Sequence, residues 1–170
     1  MIAALCVFLS CAGLGIMRAG RIKREYRRLI YLKKVMILLR GEISYAGCGI
    51  AESFSRLSKR VREPYAILFW NLSEKVEQQT GETFHEIWRE EMILPLGSYF
   101  TKKEPELERL DEIGENLGYL DRKMQCNYIT LYLEQLQLTL DERAKNVPGE
   151  CRLNSMLGIL GGIFLVICLW

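Results

Sequence analysis

The hydrophobic pattern divides the chain into two uncharged ends and a charged middle. All 23 basic and 21 acidic residues lie between Arg18 and Arg152, so residues 1–17 and 153–170 carry no charged side chain. A helix rises about 1.5 Å per residue, and a bilayer core is roughly 30 Å thick. We therefore predict transmembrane helices at residues 1–17 and 153–170. Gly158, Gly161 and Gly162 are expected to face Gly13 and Gly15 of the first helix, because small residues allow close helix packing. Packing against a helix of a partner protein is the alternative.

Two other interpretations of the ends remain open. A cleavable signal peptide is disfavoured at the N-terminus. In a signal peptide the apolar run follows positively charged residues, whereas in this chain the apolar run comes before them. A buried core helix is disfavoured at both ends, because both runs lie at the extreme termini and neither has a charged face. Spanning helices explain both ends equally well.

The middle of the chain, residues 18–152, shows helical spacing and almost no alternation typical of strands. Capping boxes at Thr83–Glu86 and Thr101–Glu104 predict helix starts, the second strengthened by Pro105. Asp121 is predicted to cap a long last helix. The pattern therefore predicts an all-α protein, with a bundle of about six helices flanked by the two transmembrane helices.

Three details of the bundle follow from the same pattern. Pro95 is predicted to end a helix near Leu94, and Pro148–Gly149 to interrupt the last helix. One face of that helix is predicted to turn inward; its members are Met124, Tyr128, Leu131, Gln135 and Leu138.

A basic segment follows the first apolar end. Positive residues next to a membrane helix stay on the cytoplasmic side and are attracted to anionic lipid headgroups. We therefore expect the bundle to lie in the cytoplasm and to contact membrane lipid. The six basic residues of this segment are Arg18, Arg21, Lys23, Arg24, Arg27 and Arg28.

Candidate catalytic chemistry is sparse. His85 is the single histidine, so neither a His-based triad nor a multi-histidine metal site is expected. We expect no enzyme activity, cofactor or metal. The alternative is a small membrane enzyme or a regulator with a pocket inside the bundle, for which the available polar residues are Tyr26, Tyr128, Tyr132 and Gln135. Nucleic-acid binding is not expected, since no recognition motif accompanies the basic residues.

Charge is divided unequally within the middle segment. Residues 18–62 carry 13 basic and 3 acidic side chains, a net of +10, whereas residues 63–152 carry 10 basic and 18 acidic ones, a net of −8. One predicted helix concentrates the acidic side chains. It is either a solvated face or a docking face for a basic partner. Its acidic residues are Glu104, Glu106, Glu108, Asp111, Glu112 and Glu115.

Several ordered motifs resemble the stage III sporulation protein AB family. Residues 39–45 read LRGEISY and are similar to the family's E-I-x-Y element. Ile113-Gly114, Leu117-Gly118 and Asp121 with Gln125 resemble a second family stretch, and residues 157–162 its final membrane segment. The departures are Ile113 in place of Phe, Cys48-Gly49-Ile50 in place of Thr-Pro-Leu, and Pro148-Gly149.

The resemblance implies a non-catalytic membrane platform component of the secretion-like complex that joins mother cell and forespore. It implies a domain similar to that of the type II secretion platform protein F, in the outer forespore membrane and facing the mother-cell cytoplasm. Implied partners are other subunits of that complex, including its secretion-type ATPase, and self-association is open. Glu42, Tyr45 and Glu52 are expected to form a partner surface with the acidic helix. For Glu42 and Tyr45, a capped helix end with a packed tyrosine is the alternative. An adaptor or regulator unrelated to sporulation is the alternative for the whole chain.

Overall fold

The computed structural model describes residues 2–45, 49–78, 81–100, 105–118 and 121–169. For residues 2–9, 11, 12, 165, 166, 168 and 169 it describes the backbone alone. All regular structure within these ranges is helical, which confirms the predicted all-α class. The chain groups into two compact units, one formed by residues 1–29 with 139–170 and the other by residues 30–138.

The helices occur in six runs along the described residues, as predicted. The fourth run is continuous but changes its hydrogen-bonding register, with a π-helical segment between two α-helical pieces. The elements are α1 (Ile2–Tyr45), α2 (Ile50–Ser58), α3 (Tyr65–Gln78), α4 (Phe84–Trp88), the π segment (Arg89–Ile93), α5 (Leu94–Tyr99), α6 (Pro105–Leu117) and α7 (Arg122–Leu169).

The unit of residues 30–138 has a core rich in aromatic side chains. Phe54 of α2 packs against Phe69 of α3, with ring centroids 5.6 Å apart, and against Phe84 and Trp88 of α4 at 6.1 and 6.3 Å. Phe54 and Trp88 are completely buried. Rings at these separations add to the burial of apolar area, so this cluster joins α2, α3 and α4 into one core.

The prediction of which side chains of α7 face inward is wrong within this unit. Met124, Tyr128, Leu131 and Leu138 are 39–71% exposed, and Gln135 is exposed as well. The buried side chains are those of Ile129, Tyr132, Leu133 and Leu136 instead.

Apolar residues occupy nearly the whole circumference of α7, so spacing alone leaves the inward face undetermined. Polar contacts with α1 determine it. Arg40 of α1 donates to the Thr130 hydroxyl at 3.2 Å, and Lys33 of α1 donates to the side chain of Gln137. These contacts place α1 and α7 antiparallel and direct the face that contains Leu133 toward the core.

The helix predicted to end near Leu94 continues to Tyr99 instead. Pro95 lacks an N–H and is tolerated only where no intrahelical donor is required, such as a first turn. The π segment shifts the hydrogen-bonding register just before Pro95, and Pro95 then lies in the first turn of α5. The proline therefore marks a change of register rather than the end of the helix.

The predicted interruption at Pro148–Gly149 is also absent, because α7 runs through both residues. Pro148 removes one backbone hydrogen bond, but the turns on both sides are complete and the residue is exposed, so its ring has room.

In the unit of residues 1–29 and 139–170, α1 and α7 approach closely at Gly15. A Cβ atom at Gly15 would lie 2.7 Å from the carbonyl oxygen of Asn154 and 3.0 Å from the Cα of Gly158. This confirms the predicted packing of Gly158 against Gly15. Gly13 and Gly161 have no heavy atom within 4 Å of a Cβ built there, so they do not take part.

Of the predicted spans, residues 2–17 belong to α1 and residues 153–169 to α7, and both spans include residues whose side chains lie outside those described. A search restricted to the described residues finds no helix with the length and apolar character that membrane crossing requires.

Candidate docking surfaces

An open cleft of about 340 Å³ lies between the C-terminal end of α1 and the end of α2. Its α1 wall is apolar except for one carboxylate, and its other wall is basic, formed by Arg56 of α2 and by Arg60, which lies just beyond α2. The lining residues are Ile37, Leu38, Gly41, Glu42, Tyr45, Arg56 and Arg60. Two residues of the predicted partner surface, Glu42 and Tyr45, therefore belong to one site.

Glu42 holds Arg60 in place at this cleft. The two side chains form an ion pair in which the Glu42 side chain is only 10% exposed and that of Arg60 is 57% exposed. Glu42 therefore supports Arg60, and only a small part of its own side chain is open to the cleft. Glu52, the third residue of the predicted surface, pairs with Arg56 one turn along α2 at 2.6 Å, and both of these side chains are about half exposed.

Tyr45 is 91% exposed, so the alternative of a packed tyrosine at the end of α1 is wrong. A large aromatic side chain in this position is available to a partner, and tyrosine is among the residues enriched at binding hot spots. Together with Ile37, which is 43% exposed, it gives the cleft an apolar margin.

The acidic helix α6 has one buried and one exposed face. Leu107, Leu110, Ile113 and Leu117 are buried, as the spacing predicted. Glu108, Glu112 and Glu115 are exposed, and their spacing of i, i+4 and i+7 puts them in one row. This acidic row is the part of the predicted acidic surface that is open to a partner.

The other acidic residues of the predicted surface have different positions. Glu106 is 2% exposed, so assigning it to a docking surface was wrong. Asp111 is about one-quarter exposed and faces α4, with His85 Nε2 at 3.0 Å and Arg89 Nε at 3.9 Å. Glu104 lies outside the described residues.

Packing against α4 fixes the orientation of the acidic row. A Cβ atom built at Gly114 of α6 would lie 2.2 Å from Cδ1 of Trp88, and one built at Gly118, which directly follows α6, would lie 2.7 Å from Cβ of Phe84. The indole N–H of Trp88 donates to the carbonyl oxygen of Leu110 at 3.0 Å. Both glycines therefore make room for aromatic rings, which hold α6 so that its row of carboxylates points away from the core.

The N-terminus of α4 is itself well defined. Thr83 and Glu86 form the predicted capping box, with the backbone N–H of Thr83 donating to Glu86 at 2.7 Å. These hydrogen bonds from Thr83 lower the pKa of the Glu86 carboxyl below its ordinary value.

A family model for stage III sporulation protein AB matches residues 1–170, the whole chain. The chain belongs to the stage III sporulation protein AB family. It is 22% identical over 169 residues to the stage III sporulation protein AB of Bacillus subtilis strain 168, a match that covers 99% of this chain and 98% of that protein. A solved structure of a stage III sporulation protein AB has the same fold, with a TM-score of 0.60 and 22% identity over 71% of this chain and 93% of that one.

The family resemblance found in the sequence now has a physical explanation at two places. Gly114 and Gly118, from the second family stretch, are the positions where α6 accepts Trp88 and Phe84. Glu42, from the E-I-x-Y element, is the carboxylate that supports Arg60. These family residues therefore position α6 against the core and orient Arg60 at the cleft.

Sequence reasoning missed the two arginines of the cleft. Arg56 lies in the last turn of α2, and Arg60 lies two residues beyond the end of that helix at Ser58. The signal was present in the sequence, since Glu52, Arg56 and Arg60 form a charged series at intervals of four. The partner of Arg60 is 18 residues away on α1, which spacing could not reveal.

The six residues of the basic segment lie on α1 within the unit of residues 1–29 and 139–170. Arg18, Arg21, Lys23, Arg24 and Arg27 are exposed, and Arg28 is partly exposed. They are accessible to a charged surface such as lipid headgroups, which the expectation of membrane contact requires.

Of the residues offered for a pocket inside the bundle, the three in the unit of residues 30–138 do not line a common pocket. Tyr132 is buried, and its hydroxyl donates to the carbonyl oxygen of Glu106 at 3.3 Å. Tyr128 and Gln135 lie on the exposed side of α7, and Tyr26 belongs to the other unit. Among the residues the structure describes, no group of three or more histidine, cysteine or acidic side chains could hold a metal ion.

Proposed function

We propose that this chain is a non-catalytic membrane platform component of the secretion-like complex that joins mother cell and forespore during endospore formation. Membership of a sporulation protein family supports the process. The observation that carries the platform role is the acidic row of α6, Glu108, Glu112 and Glu115, presented by a helix whose other face is locked in the core. Such a surface is suited to binding a basic protein.

Membrane attachment is the second part of the proposal. The uncharged ends, residues 1–17 and 153–170, would cross the outer forespore membrane, with the rest of the chain in the mother-cell cytoplasm. The exposed basic residues between Arg18 and Arg27 support this orientation, since each contributes about 1 kcal/mol near an anionic lipid surface. The close approach of α1 and α7 at Gly15 would suit two neighbouring spans.

The proposed partner of the acidic row is the secretion-type ATPase of the complex. A matched pair of variants tests it: Glu108→Lys with Glu112→Lys on α6, and Glu74→Lys with Glu77→Lys on the exposed side of α3. Both change the net charge by the same amount. We expect the α6 variant to lose most of the ATPase in pull-downs from detergent-solubilised membranes and to lower sporulation efficiency. Equal retention of the ATPase by both variants would remove the acidic row from the proposal.

The membrane topology has its own test. A single cysteine introduced at Glu77, which is exposed, should be protected from impermeant thiol reagents in intact cells, with the native cysteines replaced. It should react after permeabilisation. Labelling in intact cells would place this part of the chain on the wrong side of the membrane.

A further inference from the structure

An open groove of about 310 Å³ lies between α1 and α7 in the unit of residues 1–29 and 139–170. This volume is within the range of small-molecule sites, which is about 300–1,000 Å³. Arg18 and Asn154 line the groove together with leucine and glycine residues of both helices. We propose that the groove binds one anionic phospholipid, with the phosphate at Arg18 and an acyl chain along the glycines.

The glycines determine the shape of the groove. The Cys151 thiol donates to the carbonyl oxygen of Ala19 at 3.5 Å. Seven residues further along α7, the Cα of Gly158 would lie 3.0 Å from a Cβ at Gly15, so the two helices run antiparallel and are close together there. Gly161 also lines the groove, but no heavy atom of the described residues lies within 4 Å of a Cβ built at it. The groove therefore has open space about one turn beyond the point where the helices meet.

The groove changes from polar to apolar along its length. Arg18 and Asn154 lie at one end, because the helices are antiparallel. Leu14, Leu157 and Gly161 lie toward the other end. Asn154 and Gly161 are seven residues apart, or about 10 Å along α7. Free phosphate would leave the apolar end empty, whereas a phospholipid matches both ends.

The charge at the polar end favours an anionic headgroup. Residues 14–21 and 150–161 contain three basic side chains and one acidic one, a net of +2. Arg18 is exposed, and a guanidinium can donate two parallel N–H bonds to one phosphate group. The side-chain amide of Asn154 donates to the carbonyl oxygen of Glu150 at 2.8 Å and has a second N–H to offer a headgroup. Basic pockets between membrane helices bind anionic headgroups in this way.

The inference rests on the proposed membrane attachment and deepens it, because it names a lipid that is bound at a defined place. The exposed basic residues between Arg21 and Arg27 can attract any anionic surface. The groove, in contrast, holds a single molecule and depends on its shape as well as on its charge. Changes of shape and of charge therefore distinguish the two kinds of contact.

Lipid binding to the full chain in maltoside detergent tests the site. Native mass spectrometry counts bound dioleoyl-phosphatidylglycerol as its concentration is raised. Dioleoyl-phosphatidylcholine is the zwitterionic comparison, and inorganic phosphate is the free anion. Arg18→Gln removes the charge from the groove, and Gly161→Leu fills its open space with a side chain.

Each variant has a matched control outside the groove. Arg24→Gln removes the same charge from an exposed arginine that does not line the groove. Gly13→Leu adds the same side chain to α1 at a glycine that does not line the groove, where no heavy atom of the described residues lies within 4 Å of a Cβ. Circular dichroism confirms that each protein is folded.

We expect the wild type to bind one phosphatidylglycerol about fivefold more tightly than phosphatidylcholine, the ratio expected for one basic residue, and not to bind inorganic phosphate. Arg18→Gln should lower the affinity for phosphatidylglycerol to that for phosphatidylcholine. Gly161→Leu should weaken the binding of both lipids, because leucine occupies the space of the acyl chain. Both controls should bind as the wild type does.

A wild type without bound lipid would overturn the inference. So would equal losses in Arg18→Gln and Arg24→Gln, unchanged lipid binding in Gly161→Leu, or binding of inorganic phosphate at the same site. A protein dimer free of lipid would assign the groove to a second copy and would also overturn it. The measurement in detergent is independent of the orientation of the chain in cells. A defined lipid site together with cysteine labelling in intact cells would therefore refute the proposed topology and leave the lipid site standing, and the opposite pair of results would refute the lipid site alone.

Discussion

Replacing Gly114 with alanine tests whether the glycines of α6 are required by the aromatic core. The new Cβ would lie 2.2 Å from Cδ1 and 2.6 Å from Cγ of Trp88, a side chain that is completely buried. The indole must move, and its N–H then loses the carbonyl oxygen of Leu110 at 3.0 Å. Overpacking costs about 1–3 kcal/mol and an unpaired buried donor about 1–3 kcal/mol, whereas alanine gains about 1 kcal/mol over glycine in a helix.

The net expectation is a loss of about 2–3 kcal/mol in the free energy of unfolding. For a chain of this size, that loss lowers the Tm by roughly 5–10 °C. Thermal and urea unfolding of the full chain in detergent, followed by tryptophan fluorescence, measures both quantities.

Gly97→Ala is the matched control for this prediction. Gly97 is an exposed glycine inside α5, and no heavy atom lies within 4 Å of a Cβ built there. This change should leave stability unchanged or raise it by up to about 1 kcal/mol. In a Trp88→Ala background, Gly114→Ala should lose its cost, because the ring that it meets is gone. A Gly114→Ala protein as stable as the Gly97→Ala protein would refute the reasoning.

Three further changes have predicted outcomes. Glu86→Gln should make the free energy of unfolding depend less on pH in acid. The pKa of Glu86 is lowered in the folded state, so its contribution to stability is present above the unfolded pKa of about 4.3 and is lost as pH falls through the folded pKa. Urea titrations at pH 3–6 measure this difference. Tyr132→Phe should reduce the loss of folding stability that occurs at alkaline pH. Burial raises the pKa of Tyr132, so its contribution is complete below about pH 10 and declines as pH rises further, and unfolding at pH 9–11 against the wild type shows the difference. Arg60→Ala should destabilise the chain by about 1–3 kcal/mol, because Glu42 is left largely buried without its cation, whereas Arg56→Ala should cost less than about 1 kcal/mol, since Glu52 is half exposed.

Helix starts were the most predictable part of this fold. The Thr83 capping box and the Asp121 cap involve residues three apart in sequence, and both form, with the N–H of Met124 donating to Asp121 at 2.8 Å. Local hydrogen bonds of this kind depend only on the neighbouring residues. Sequence reasoning therefore identifies them without knowledge of the tertiary structure.

The inward face of α7 could not be predicted in the same way. Apolar side chains occur all round the helix between Met124 and Leu138, so its orientation depends on what α1 presents to it. The contacts that decide, Arg40 with Thr130 and Lys33 with Gln137, join residues about 90 and 104 positions apart. No local pattern contains that information.

Glu106 shows an error of a different kind. It precedes Leu110, Ile113 and Leu117 at intervals of four, seven and eleven residues, the spacing of a buried stripe. Its position on α6 therefore indicated burial, and its charge was given more weight than its position. In the structure Glu106 is 2% exposed, and its backbone carbonyl accepts a hydrogen bond from the hydroxyl of Tyr132.

The rigidity of α6 is what makes its acidic row useful for recognition. Solvated carboxylates on a mobile helix lose conformational freedom on binding, and that loss offsets most of the gain from surface ion pairs. Here Gly114 and Gly118 let the rings of Trp88 and Phe84 close on α6, so the helix is already ordered before a partner arrives. On this argument, a change such as Gly118→Ala should weaken the binding of a basic partner even though it leaves Glu108, Glu112 and Glu115 in place. If Gly118→Ala lowers the stability of the core but leaves the binding of a basic partner unchanged, the binding does not depend on the packing of α6, and the argument is wrong.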